Sequence, residues 1–238
     1  MVAFLLCPAR RRRFYYWEVS FTFAKISFEY KYMEKADNHI FPVFNEILKR
    51  CDKEALLNQK GLVIWLTGLS GSGKTTLARG IEKYLHNKGF ICQVLDGDNI
   101  RSGINNNLGF TLDDRLENIR RIAEVSKLFV NCGIITINSF ISPTEKIRGI
   151  ARDIIGPEDF VSVYVNAPVA VCEERDVKGL YKKARAGEIK NFTGVNTEFE
   201  PVASPDVEVE TALLSIDESV QKVINYVMPH ITLNKKRI

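Results

Sequence analysis

The chain has 238 residues, enough for one large α/β domain, and 33 Lys and Arg against 29 Asp and Glu leave a formal net charge of +4. All of that excess lies in residues 1–32, where six basic side chains meet two acidic ones; from Met33 onward the charges balance, which argues against nucleic acid as a partner. No apolar run approaches the roughly 20 residues a bilayer span requires, and five cysteines about 40 residues apart, with no CxxC pair, offer neither a metal site nor a redox couple and suit a reducing cytoplasm.

Residues 1–32 also carry ten of the 24 aromatic side chains. Their Arg10–Arg13 cluster follows a short apolar run instead of preceding it, the reverse of a secretory signal. Three readings compete for this segment: a basic aromatic extension that binds something, a targeting segment, and an upstream start codon that is not used. The third is favoured, because the composition fits no known address signal, and an intact mass of natively expressed protein distinguishes them. Residues 33–60 read as a helical lead-in. Phe41, Phe44, Ile47, Leu48, Leu56 and Leu57 recur at helical spacing and predict one or two helices over 39–60.

The principal domain is expected over 61–228, followed by a basic tail at 229–238. Leu62–Leu66 is a short continuous apolar run before glycine-rich sequence, which predicts a strand buried on both faces. A helix from Thr75 to Lys88 ends at Gly89, and Phe90–Leu95 predicts a second buried strand. A long amphipathic helix over 113–131 follows, then a strand at 134–137, a helix from Pro143, a strand at 160–165, and a last strand and helix at 207–209 and 215–227. Strands alternating with helices imply βαβ units and a mainly parallel sheet covered on both faces.

After the first strand stand Gly68, Leu69, Ser70, Gly71, Ser72, Gly73, Lys74 and Thr75, a full match to G-x-x-x-x-G-K-[ST]. In such a loop the backbone N–H groups wrap an anion, the following helix offers its N-terminus, Lys74 reaches the β and γ phosphates, and the Thr75 hydroxyl ligates Mg²⁺. The loop announces a nucleotide and leaves the chemistry open. No N-K-x-D guanine reader is present. The DxxG string at Asp153–Gly156 reads as a helix end ahead of Pro157. The strand at 134–137 ends in Asn138-Ser139 where a motor or transporter ATPase would carry an acid, which points toward small-molecule kinases.

The second strand runs into Asp96-Gly97-Asp98-Asn99-Ile100-Arg101, at the carboxyl edge where ligands of open α/β sheets bind. One of the two carboxylates can accept an acceptor hydroxyl's proton or position the metal's water, and Arg101 can bind acceptor anion. The plainer alternative is a capped turn with Asp98 as N-cap. Asp114–Arg121 reads by itself as a solvated helical face, and Lys178, Lys182, Lys183 and Arg185 as a basic helix surface or a lid that closes over phosphates.

The strings GLSGSGKTT (Gly68 to Thr76), DGDNIR (Asp96 to Arg101), LGF (Leu108 to Phe110), DRxENIRR (Asp114 to Arg121), FISP (Phe140 to Pro143) and KGLYKKARAGEIKNFTG (Lys178 to Gly194) resemble, in the same order, those of adenylyl-sulfate kinases. The resemblance covers about residues 61–227. It implies a P-loop NTPase-like three-layer sandwich with a mobile basic lid, and ATP-dependent phosphorylation of the 3′-hydroxyl of adenylyl sulfate, with Mg²⁺ as cofactor. It further implies a homodimer; with only 11 residues after Val227, a sulfate adenylyltransferase as the preceding enzyme is expected on a separate chain. Gly68 to Thr76 would bind ATP; Asp98, Arg101, Phe110, Arg115, Asn118, Ile141, Ser142, Lys178 and Phe192 would hold the sulfated nucleotide. The chemistry is consistent: Arg101, Arg115 and Lys178 can neutralise a phosphosulfate anhydride, Phe110 and Phe192 can sandwich adenine, and Asn118 can bond its edge. Lys74, Asp98 and Ser142 are the catalytic candidates. Ser142 stands where the family has been described with a phosphoserine intermediate, yet Ser142-Pro143-Thr144-Glu145 also spells a capping box, and a cap that also touches substrate is the favoured reading. Asn191 replaces the Gly of several relatives, with only a backbone contact expected to change.

Overall fold

A computed structural model describes residues 41–233; the basic aromatic segment, residues 33–40 of the lead-in, and 234–238 lie outside them. The chain divides into two compact units, Met1–Ile47 and Leu48–Ile238. In the first, the described residues 41–47 form a turn closed by the Glu46 N–H on the Val43 carbonyl at 2.9 Å. The helix expected over 39–60 is therefore shorter, α1 at Arg50–Leu57. Pro42 pushes Phe41 away from helical dihedrals, and a helix this short gains little without a packed face.

The second unit is built on five parallel strands, β1 (Leu62–Thr67), β2 (Cys92–Asp96), β3 (Ile135–Phe140), β4 (Phe160–Asn166) and β5 (Val207–Glu210), in the order β2-β3-β1-β4-β5. β1 lies at the centre, with Ile64 opposite Ile137 on one side and Val161 on the other. All six of its residues are buried, because its side chains feed two cores in alternation. Leu62, Ile64 and Leu66 pack with α2 (Lys74–Asn87) and α8 (Ile216–Ile231). Val63 and Trp65 pack with α4 (Leu112–Asn131) and α5 (Glu145–Ile155). The result is the three-layer sandwich read from the alternation of strands and helices.

Short helices α3 (Gly97–Ser102), α6 (Val169–Arg175) and α7 (Leu180–Arg185) occupy the carboxyl edge of the sheet or follow from it. A third apolar cluster there joins Leu69 of the loop after β1 to Ala167, Cys172, Tyr181, Ala184 and Phe192. The basic segment expected as a lid thus has a buried inner face of Tyr181 and Ala184 while its lysines point outward.

Four local readings change. β3 continues past Ile137 to Phe140, so Asn138 and Ser139 are strand residues inside the core. The N-cap of α5 is Thr144, whose hydroxyl accepts the Ile147 N–H at 3.3 Å, and not Ser142; Pro143 keeps the residue before it out of helical space, so the helix starts two residues later. The N-cap of α3 is Asp96, which accepts the Asp98 N–H at 3.1 Å, leaving the Asp98 carboxylate free of capping duty. The last helix runs through Pro229 to Ile231, so the stretch expected as a tail from 229 begins inside α8. The Asp153–Gly156 string does end a helix, with Gly156 as C-cap of α5.

α1 is secured by one arginine. The Arg50 guanidinium makes a two-pronged contact with Asp159 at 2.5 and 2.8 Å, donates to the Gly61 carbonyl at 2.9 Å and meets Glu54 at 2.7 Å. Gly61 sits against α4 so tightly that a Cβ there would lie 2.5 Å from the Val130 carbonyl oxygen, whereas a Cβ at Gly149 in α5 would meet nothing within 4 Å. Gly61→Ala is expected to lower the melting temperature by several degrees, and Gly149→Ala to raise it by about 2–4 °C through the roughly 0.5–1 kcal/mol advantage of alanine in a helix. Thermal denaturation of the two variants checks the pair; equal shifts would contradict it.

Candidate active site

β1 ends at Thr67, and the chain turns at once into the phosphate loop. Gly68 is required by space: a Cβ would sit 2.4 Å from the Val165 carbonyl oxygen of neighbouring β4. Gly73, at φ +98, takes a left-handed conformation that only glycine adopts freely, and it releases the chain into α2. The loop carbonyls are gripped from outside. Tyr181 of α7 donates its hydroxyl to Ser70 at 2.9 Å, Arg175 of α6 reaches Gly71 at 3.4 Å, and the Thr211 hydroxyl donates to Ser72 at 2.7 Å. With the carbonyls engaged and the first turn of α2 holding N–H groups without helical acceptors, the loop presents donors to an anion. Two buried hydroxyls have no protein partner, Thr67 Oγ1 just before the loop and Ser72 Oγ within it.

Lys74 lies inside this loop and donates to the carbonyls of Gly68 at 3.0 Å and Leu69 at 2.6 Å. Burial pulls its ammonium down to about 8, against the charges of Asp96 and Asp98, which favour the protonated form. A polyphosphate is the partner that restores a full charge to such a group. Thr75 donates its hydroxyl hydrogen to Asp96 at 2.8 Å. The acid absent from the end of β3 is thus supplied by the neighbouring strand β2, and sequence reading missed the pairing because its two members stand 21 positions apart. With the hydrogen committed to Asp96, the oxygen lone pairs of Thr75 are left for a hard cation, and hydroxyl plus carboxylate is a donor set that suits Mg²⁺. Thr76 follows, exposed on α2.

Facing the loop, Asp98 at the start of α3 contacts the ammonium of Lys178, which precedes α7. Both side chains are more than half exposed, 68% and 58%. The structure pairs two groups that lie 80 positions apart in the sequence. Arg101 donates to the carbonyls of Leu108 and Gly109 at 3.0 and 2.8 Å and stacks on the Phe110 ring at 4.5 Å from its centroid. Arg115 of α4 reaches in three directions, to the carbonyl of Phe110 at 3.1 Å, the Thr193 hydroxyl at 2.8 Å and the Asn191 carbonyl. It ties the segment bearing Phe110 to the segment bearing Phe192. Asn191 takes φ +59, a conformation asparagine tolerates better than other non-glycine residues. Phe192 is buried edge-on against Tyr181 with centroids 4.9 Å apart, while the Phe110 ring is 62% exposed. Asn118 is buried in α4, and Ile141 lies half-buried just past β3. Beside the loop a cavity of about 480 Å³ opens between Leu69, Tyr164, Pro168, Thr197 and Phe199.

A P-loop on the central strand, a carboxylate and a lysine facing it, and a cationic aromatic wall meet on one sheet edge. A sequence model of the family described as adenylylsulphate kinase matches residues 60–210. The chain belongs to that family. It is 57% identical over 196 residues to the adenylyl-sulfate kinase of Bacteroides fragilis, covering 82% of this chain and 97% of that one. It is 51% identical over 183 residues to that of Clostridium acetobutylicum, covering 77% and 91%. Among solved structures, the Mycobacterium tuberculosis APS kinase in complex with AMPPNP and APS is 43% identical, with a TM-score of 0.69 and coverage of 71% of this chain and 98% of that one.

Within this family fold Ser142 has a structural task. It is 2% exposed and takes φ +45, a strained value for a non-glycine residue. Its hydroxyl accepts the Trp65 indole N–H at 3.0 Å, and its carbonyl accepts Arg148 at 3.0 Å. The capping box read from the sequence is replaced by a buried bond to β1. Ser142→Ala orphans the indole N–H, so a loss of roughly 1–3 kcal/mol in stability is expected, with kcat of the folded protein within a few-fold of the parent. Denaturant unfolding and steady-state rates measure both, and a folded but inactive variant would assign the hydroxyl to the transfer itself.

Proposed function

We propose that this protein transfers the γ-phosphoryl group of ATP to the 3′-hydroxyl of adenylyl sulfate, giving 3′-phosphoadenylyl sulfate and ADP. The observation that carries the reading is the opposition of Asp98 to the P-loop lysine on one sheet edge, within a chain of this family. The ATP phosphates lie in the loop from Gly68 to Thr76. The sulfated nucleotide lies against Arg101, Phe110, Arg115, Asn118, Ile141, Ser142, Lys178 and Phe192. Arg115 acts mainly by fixing the relation of the two phenylalanine segments, since its donors are engaged with Phe110, Asn191 and Thr193.

In the transfer, Asp98 accepts the proton of the attacking hydroxyl and Lys178 closes over it from the α7 side. Lys74 neutralises charge on the phosphoryl being moved, and the carbonyl-pinned loop keeps its donors oriented without reorganisation. Tyr181, Ala184 and Phe192 exclude water from above the loop. Thr75 and Asp96 would hold Mg²⁺, which when bound neutralises charge on the β and γ phosphates. Ser142, buried and bonded to Trp65, supports the wall through its backbone and carries no phosphoryl group in this reading.

No helix among the described residues is long and apolar enough to cross a membrane, and the reading places the enzyme in the cytoplasm, as a homodimer supplied by a sulfate adenylyltransferase on another chain. Release of ADP that depends on adenylyl sulfate tests the reaction; turnover indifferent to that acceptor and raised by a sugar or nucleoside would replace it with another small-molecule kinase. Asp98→Asn is expected to lower kcat by roughly 10²–10⁴, the usual worth of a general base, while ATP binding by calorimetry stays near the parent value. Asp96→Asn is expected to raise the Mg²⁺ concentration for half-maximal rate by about tenfold or more, and an unchanged metal requirement would remove Asp96 from the cation's surroundings.

A further inference from the structure

Asn118 is an ambiguous reader of a nucleotide base, because a side-chain amide turned over exchanges its donor for its acceptor. What decides its orientation lies behind it. Asn105, in the turn after α3, is fully buried, and its amide nitrogen donates to Asn118 Oδ1 at 3.0 Å. The other end of the Asn105 amide faces Arg121 of α4, whose guanidinium approaches Asn105 Oδ1 at 3.4 Å and Asn107 Oδ1 at 2.9 Å. Arg121 is pinned in turn by Glu117 at 2.7 Å, and the paired arginines 120 and 121 hold that carboxyl down to about 2, so it stays an acceptor.

Arginine has donors only. The Asn105 atom that meets it is therefore the oxygen, the atom that meets Asn118 is the nitrogen, and the Asn118 atom that receives it is the oxygen. Polarity propagates from the charged face of α4 through a buried amide to the site, and Asn118 is left with its Nδ2 to offer. We infer that Asn105 is a positioning residue for base recognition: it locks Asn118 as a hydrogen-bond donor, so that the enzyme requires an acceptor ring nitrogen on the base of the acceptor nucleotide. The inference rests on the placement of adenylyl sulfate against Asn118 proposed above, and its test separates the two. The charged face of α4, which by pattern alone is solvent surface, is on this account part of the specificity apparatus through Glu117 and Arg121.

The experiment measures KM and kcat at saturating ATP for adenylyl sulfate and for its 1-deaza, 3-deaza and 7-deaza analogues, each of which replaces one acceptor nitrogen by C–H. The parent protein is expected to lose about tenfold in KM on one of the three analogues. In Asn105→Asp the side chain can only accept, so Asn118 turns over. KM for adenylyl sulfate then rises about tenfold, and that same analogue brings no further loss. Asn105→Ala, which removes the donor without burying a charge, serves if the aspartate variant does not fold; it is expected to flatten the analogue profile while leaving KM for ATP in place. A merely structural Asn105 would lower stability or kcat and keep the parent's discrimination among the analogues, and that result overturns the inference. Asn118→Ala is the control: if it leaves KM for adenylyl sulfate unchanged, the placement of the base fails, and if it raises KM while both Asn105 variants keep the parent profile, only the positioning role fails.

Discussion

Gly68 approaches the Val165 carbonyl so closely that a single added methyl group would lie 2.4 Å from the oxygen, and this contact between two adjacent strands sets where the phosphate loop begins. β1 cannot shift to relieve it. Its six residues are buried on both faces, feeding separate apolar cores, and it is paired in register with β3 and β4. A strand held on four sides is a rigid base for a loop that must keep its donors aimed at a polyanion, because preorganised donors act without reorganising during the transfer. Everything else at the sheet edge is placed by reference to it. α2 leaves from Gly73, the neighbouring β2 delivers Asp96 to Thr75, and α7 reaches back to the Ser70 carbonyl through Tyr181.

The acceptor side is organised differently, by arginines that act largely as ties. Arg115 joins the Phe110 and Asn191–Thr193 segments, Arg101 stacks on Phe110, and buried Arg148 gathers the carbonyls of Ser142 and Glu200. A guanidinium can serve several carbonyls at once because its donors fan out in a plane. These multidentate bonds add to the apolar packing of Phe192 and its neighbours in fixing the shape of the loops. The same logic reaches Asn118, where one arginine's lack of any acceptor dictates the orientation of two amides in succession.

Much of the architecture was legible in the chain. The Leu62–Leu66 run, the glycine-lysine loop and the alternation of apolar runs with amphipathic stretches led to a parallel sheet with two helical layers, since burial on both faces of β1 and the 3.6-residue period of α2, α4 and α8 leave clear marks. The departures came where a short range of sequence admits two solutions. Ser142-Pro143-Thr144-Glu145 satisfies the pattern of a cap at either Ser142 or Thr144, and the Trp65 indole in the neighbouring strand settled it by taking the Ser142 hydroxyl. By residue type alone either Asp96 or Asp98 could serve, and the resemblance singled out Asp98; the structure gives Asp96 to the Thr75 hydroxyl and Asp98 to the Lys178 ammonium.

By itself the sequence determined the fold class, the nucleotide loop and the family, because strand burial, helical period and phosphate binding are written in contiguous residues. It also showed that the charge excess lies in residues 1–32, leaving the cations of the domain to be judged by position alone. Tertiary structure decided which acid meets Thr75, what Ser142 does, that Arg115 is a tie, and that Asn105 stands behind Asn118. Each of these depends on a hydrogen bond between residues 13 to 78 positions apart, and a donor's choice among several chemically equivalent acceptors is made only when the sheet and helices bring one of them within reach.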